Sequence, residues 1–373
     1  MNPAGEYRKR AGLGSQLLRA LAALCCAAAG AQSVPELAPI TPDQFQPAVP
    51  AESASVPPPA SQEIPGKDQL DFANGLFARR LYAEAADEYE AYIRDYPQSP
   101  AVPQANLRLG QAAQAAGKYE KALEAYTRAA TAGTPEEQRT AQLGQGECLF
   151  LLKRYAEAAE LLGKLLEAAP AADQAARALY YAGRARLELG DASAAAEIFR
   201  KAVSSYGDQP VAPYARYQLA QALLRLGREE EAAATFAEVA GTTGADADLR
   251  AESRFRAAEL YDRMGLFDAA AAAYEQLRQA FPESDYARRA AYGYSWALFR
   301  AGRTEDAAAA ARAFLDTSPP PELESGARYL LGECARTAQR YDEAIDLFRG
   351  VRENSPGRPT PITRGTSWPG PST

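Results

Sequence analysis

The chain has 373 residues, with 41 basic and 48 acidic side chains, a formal net charge of −7, and no histidine. This length suits two or three ordinary domains or one long repeat array. The missing histidine excludes Ser-His-Asp and Cys-His catalysis and every His-dependent zinc site, which leaves carboxylate-only metal or glycosidase chemistry. Alanine dominates and 24% of residues are charged, a composition of good helix formers.

Residues 1–31 read as a signal peptide. Arg8, Lys9 and Arg10 form a basic start, a mostly apolar run extends from Leu17 to Ala28, and Ala29-Gly30-Ala31 supplies an Ala-x-Ala cleavage site before Gln32. Arg19 interrupts the run, and a membrane span needs about 20 apolar residues, so cleavage is favoured over a permanent anchor. Cys25 and Cys26 raise lipidation as the other outcome, although Leu24 stands where a small residue is wanted. The segment carries four basic residues and one acid, so its removal leaves 37 basic against 47 acidic residues. Nucleic acid and anionic membrane surfaces are poor partners for so acidic a protein. Residues 32–66 contain nine prolines and few large apolar side chains. They are expected to be a disordered linker, with Pro57-Pro58-Pro59 the contact if the segment instead docks on a partner.

From residue 67 the sequence repeats. Ala85, Ala122, Ala158, Ala195, Ala232, Ala270, Ala307 and Ala344 align at spacings of 36 to 38 residues. Twelve residues before each of these anchors stands a small residue: Ala73, Gly110, Gly146, Gly183, Ala220, Ala258, Ser295 and Gly332. Four residues after the anchor, six of eight are aromatic, with Leu162 and Ala311 the departures. The early residues recur at helical spacing and predict a first amphipathic helix. Gly117, Gly190, Gly227, Gly265 and Gly302 stop it, because glycine accepts left-handed backbone. A second helix then carries the anchor and its aromatic, and Pro97, Pro170, Pro282, Pro319 and Pro356 close their repeats. Small residues facing large ones let the two helices approach closely.

This pattern resembles the tetratricopeptide repeat family over residues 67–356. The segment "AVPQANLRLGQAAQAAGKYEKALEAYTRAA" is nearest to it, with Leu109, Gly110, Gly117, Tyr119, Ala122 and Tyr126 in the family's places. Glu229 and Thr304 depart from it where a tyrosine or similar residue packs. Tyr/Phe-Pro-x-Ser between repeats looks like exported repeat proteins of the bacterial envelope, such as the Tol-Pal coordinator and the outer-membrane assembly lipoproteins. The resemblance implies an all-α, right-handed solenoid of about eight helix-turn-helix repeats.

The same resemblance places partner binding on a concave face lined by the first helices. The exposed inner positions it implies are Asn74, Gln111, Glu147, Arg184, Gln221, Glu259, Trp296 and Glu333. Tyr180, Tyr217, Tyr292 and Tyr329, fifteen before their anchors, add aromatic surface of the kind that peptide sites use. The competing reading makes these tyrosines packing between repeats. The basic positions of chaperone-binding family members are not reproduced, since Leu107, Leu143 and Tyr180 occupy them.

Gly-Glu-Cys occurs at residues 146–148 and again at 332–334. Cys148 and Cys334 hold a position that is small in most other repeats, which predicts buried alanine substitutes rather than a thiol motif. Gly144-Gln145-Gly146 lacks the third glycine of a dinucleotide loop, and Glu229-Glu230-Glu231 suits a helix start. After Pro356 the tail, residues 357–373, has no helical period and cannot cap the array. Leu347 and Val351 are therefore expected to be exposed, with a frayed last repeat, self-association there, or a truncated reading frame as the open explanations. The sequence thus points to an exported, non-enzymatic scaffold that binds a protein or peptide, with no cofactor, metal or membrane span. The alternative is a glycan-contacting accessory module of an envelope enzyme complex.

Overall fold

A computed structural model describes residues 64–354; the signal segment, the linker up to residue 63 and the tail from residue 355 lie outside the described residues. Sixteen helices and no strand occur among the described residues. They pair as α1 (Lys67–Ala78) with α2 (Tyr82–Asp95), α3 (Val102–Ala115) with α4 (Tyr119–Ala132), and α5 (Pro135–Leu151) with α6 (Tyr155–Glu167). Next come α7 (Ala172–Glu188) with α8 (Ala192–Ser205), then α9 (Ala212–Arg225) with α10 (Glu229–Gly241). The last three pairs are α11 (Ala247–Arg263) with α12 (Phe267–Ala280), α13 (Asp285–Arg300) with α14 (Thr304–Leu315), and α15 (Pro321–Thr337) with α16 (Tyr341–Asn354). The chain divides into two compact units between Ala257 and Ala258, inside α11. Among the described residues no helix is long and apolar enough to cross a membrane.

Every hairpin turn closes in one way. The fifth residue before the anchor is left-handed in all eight repeats: five are the glycines from Gly117 to Gly302, and three are Arg80, Lys153 and Gln339 at φ 61, 61 and 62°. The following amide reaches back five residues, as Lys118 N to Ala113 O at 2.8 Å and Arg154 N to Leu149 O at 2.8 Å. The left-handed residue itself donates three back, as Gly117 N to Gln114 O at 3.0 Å. These paired bonds are the Schellman closure, which satisfies carbonyls that a helix end would otherwise leave open.

Packing within a hairpin rests on the small residue twelve before the anchor. A Cβ on Gly110 would stand 2.6 Å from the Tyr126 ring, and one on Gly183 2.6 Å from Phe199. In the third repeat Leu162 takes the aromatic's place and fills the space over Gly146. Tyr89, Phe199 and Phe236 are fully buried in this way, each contributing about 1.5–3 kcal/mol of apolar burial.

Helices consecutive in the chain pack together within each unit, and first helices also touch first helices. α3 meets α5, α5 meets α7 and α7 meets α9 in the first unit; α13 meets α15 in the second. This contact between first helices creates the seam that carries the site. At the last helix the expected exposure falls elsewhere. Leu347 and Val351 are half-buried, because α16 packs on α15 with Phe348 over Gly332, whereas Tyr341 and Ile345 are the exposed apolar residues.

Candidate functional site

The eight positions that follow the small glycine, alanine or serine do not form one exposed row. In the first unit Glu147 and Gln221 join a polar seam between first helices. Glu147 is 1% exposed. One of its oxygens accepts from Arg177 Nη2 at 2.6 Å, and the other accepts from Gln114 Nε2 at 2.9 Å. Tyr126 Oη then donates to Gln114 Oε1 at 2.7 Å. Arg177 arrives from α7, the first helix of the next repeat, and lies eighteen residues before its anchor. Burial opposes the Arg177 charge, but Glu147 and the neighbouring Tyr181 outweigh it and hold the guanidinium above its ordinary value. A buried carboxylate persists only when it is paired and its remaining lone pairs are bonded.

The same register recurs with other chemistry. Tyr217 Oη donates to Glu252 Oε1 at 2.7 Å and accepts from Gln221 Nε2 at 3.0 Å. Glu252, eighteen before its anchor, is buried, and Arg256 lies 3.5 Å from the same oxygen. Burial followed by the Glu252 charge pushes the Tyr217 hydroxyl far above its ordinary value. In the second unit Glu259 and Arg289 repeat the acid-base pair more loosely, at 3.9 Å.

The exposure expected of Glu147 and Glu333 is therefore corrected. Glu147 is covered by the next first helix and its arginine. Glu333 is 6% exposed and bonds Arg336 on its own helix at 2.6 Å. Tyr180 and Tyr217 are also buried, packed edge-on against Tyr181 and Phe236 respectively. Asn74 is exposed and accepts from Tyr89 Oη at 2.7 Å. Gln111, Arg184, Gln221 and Glu259 are half-buried. Arg184 lies over the Phe150 ring at 4.5 Å.

Trp296, Tyr292 and Tyr329 differ from all of these. They are half-buried and gather on α13 and α15. The Trp296 ring stacks with Tyr329 at 6.4 Å and 23°, and meets Tyr292 edge-on at 6.4 Å. Phe299 closes a second edge at 6.1 Å, and Arg300 lies over the indole at 5.7 Å while paired with Asp262. The indole Nε1 is buried with no acceptor among the described residues. Tyr292 reaches across to α15, where its hydroxyl occupies the place a Cβ on Gly326 would take.

Cys148 and Cys334 are free and fully buried. Burial pushes the Cys334 thiol up to about 11 and Cys148 further, so neither is a thiolate near neutral pH. Sequence reasoning missed Gln114, Arg177 and Glu252. Arg177 was legible as the opposite charge placed eighteen before an anchor, one repeat after an acid, as Arg289 is after Glu259.

Paired helices with a common turn, stacked so that first helices touch first helices, define an all-α solenoid of helical hairpins. The tetratricopeptide repeat model matches residues 70–135, 107–173, 165–210, 180–248, 255–322 and 322–359, and the chain belongs to that family, whose members are protein-interaction scaffolds. Similar solved structures include PilF of Pseudomonas aeruginosa, at 20% identity, 60% of this chain and 95% of that one, with a TM-score of 0.46. YrrB, titled a TPR protein with an unusual peptide-binding site, is 20% identical over 55% of this chain and 98% of its own, with a TM-score of 0.41. A repeat protein of Parabacteroides merdae is 17% identical over 78% of this chain and 94% of its own, with a TM-score of 0.35. No curated protein matches the chain.

Proposed function

We propose that this chain is an exported scaffold of a bacterial cell envelope that captures a protein or peptide on the Trp296 face. The observation that carries the reading is the half-buried group of Trp296, Tyr292 and Tyr329, placed where first helices of adjacent repeats meet. Aromatic rings combine large contact area with few rotatable bonds, so such a group gains affinity at small entropic cost. Export rests on the basic start, apolar run and Ala-x-Ala site of residues 8–31.

Photo-crosslinking in cells from a benzoylphenylalanine at position 329 tests the site. One protein partner should be captured, and Trp296→Ala with Tyr292→Ala should lose it by about tenfold or more, the scale of an aromatic hot spot. If the double variant keeps its partner and instead loses cell-wall glycan in a pull-down, the glycan-contacting reading replaces this one. N-terminal sequencing of the exported protein should begin at Gln32.

A further inference from the structure

A cleft of about 400 Å³ opens in the second unit where α12 ends, α13 begins and α14 ends. Its volume lies at the lower end of the ligand-pocket range. Ala287, Ala291, Phe314 and Thr317 line it, together with the acids Glu283 and Asp285.

The repeat register explains why the space is open. Ala291 lies sixteen residues before its anchor. The same position holds Arg216, Arg254 and Arg328 in the fifth, sixth and eighth repeats. Ala287 stands in the register of Arg250 of the sixth repeat, a position that is also alanine in the fourth and fifth. In the fifth and sixth repeats the arginines show what the position can do, whereas Arg328 pairs with Glu324 on its own helix. Arg216 approaches Thr242 Oγ1 at 3.5 Å and Glu238 at 3.4 Å. Arg250 and Arg254 both donate to the Ala240 carbonyl, at 3.3 and 3.4 Å.

Two of those acceptors have equivalents around the open cleft, while Glu238 is matched by Ala313. Thr317 stands where Thr242 does, and Arg278 stands where Ala240 does, in the repeat register. Thr317 Oγ1 donates to the Phe314 carbonyl at 2.7 Å, so its lone pairs remain to accept. The Arg278 carbonyl receives no amide from residue 282, because that residue is a proline. The Arg278 side chain does not fill the gap: it is held by Glu275 at 2.8 Å and lies over Tyr294 at 5.5 Å.

We propose that this cleft receives an arginine side chain from a protein partner, in the place that Arg216 and Arg254 fill in the two preceding repeats. The guest guanidinium donates to the Arg278 carbonyl and to Thr317 Oγ1, its stem lies along Ala287, Ala291 and Phe314, and Glu283 and Asp285 favour its charge. Arg288, also lining the cleft, opposes it. This site adjoins the Trp296 face, since Tyr292 packs on Phe314 at 6.0 Å, but it uses neither Trp296 nor Tyr329, and its failure would leave the aromatic reading standing.

The probe is acetyl-Gly-Arg-Gly-amide titrated into the full chain and followed by amide NMR, with the citrulline peptide as the uncharged control. Shifts should centre on Ala287, Ala291 and Thr317, with about tenfold tighter binding than citrulline, the scale of a charge-assisted bond. Ala291→Arg should fill the cleft from within and abolish the response. Thr317→Val keeps the shape and should weaken binding by about fivefold, the loss of one hydrogen bond, while Arg288→Ala should strengthen it. Equal binding of citrulline, survival of the response in Ala291→Arg, or preference for acetyl-Gly-Glu-Gly-amide would overturn the proposal.

Discussion

The position eleven residues before the anchor is a buried charge in the third repeat and a half-exposed indole in the seventh. Glu147 and Trp296 occupy the same place on equivalent first helices. What separates them is the residue eighteen before the next anchor. Arg177 fills that place in the fourth repeat and covers Glu147. Gly326 fills it in the eighth and covers nothing, so Tyr292 lies over the glycine and Trp296 stays partly open. In this stack, whether a position is core or surface is therefore decided by the neighbouring repeat as much as by its own.

Removing the cover from Glu147 should give the largest effect. Arg177→Ala leaves a buried carboxylate unpaired and should cost about 3–5 kcal/mol in urea denaturation. Replacing Glu147 and Arg177 together by leucine should recover most of that loss, since no charge is then stranded. A cost under about 1 kcal/mol for Arg177→Ala would mean that water reaches Glu147 and that the contrast with Trp296 is one of degree.

Adding a cover at the other end is a smaller change. Gly326→Ala gains about 1 kcal/mol of helix propensity, which offsets the displacement of the flexible Tyr292 hydroxyl. Net stability should shift by less than about 1 kcal/mol. The Trp296 fluorescence, read with Trp368→Phe so that only one tryptophan remains, should nevertheless change in wavelength. An unchanged spectrum would separate Gly326 from the exposure of the aromatic face.

Alkaline titration reads both regions at once, with an effect that grows as pH rises. Burial raises Tyr89 from 10.0 to about 12 and Cys334 from 9.0 to about 11, and raises Tyr126 and Tyr181 further. The folded state thus holds protons that the unfolded chain releases. Stability from these groups is complete below about pH 9 and falls as pH rises through 9 to 12. A melting temperature that stays flat to pH 11 would show that these side chains are more hydrated than their burial indicates.

The repeat length, the helix pairs and the small-to-aromatic packing were legible in the sequence, because each depends on residues within one repeat. Five of the eight left-handed turns were also legible as glycines; Arg80, Lys153 and Gln339 were not, since only the turn itself forces φ positive there. Burial at the candidate site was legible only in part. The cysteines fell into buried small positions as expected, and Trp296, Tyr292 and Tyr329 were named for surface that they partly keep. Glu147, Glu333, Tyr180 and Tyr217 were named for the same surface and are buried.

Local spacing determined which side of a first helix each residue occupies. Only the tertiary structure decided what lies across from it, because contact between repeats joins residues about thirty apart, such as Glu147 and Arg177. Whether an acid there is stranded, paired or replaced by an aromatic depends on that partner's charge and reach. A periodic pattern fixes the seam, and the residue on its far side fixes the seam's chemistry.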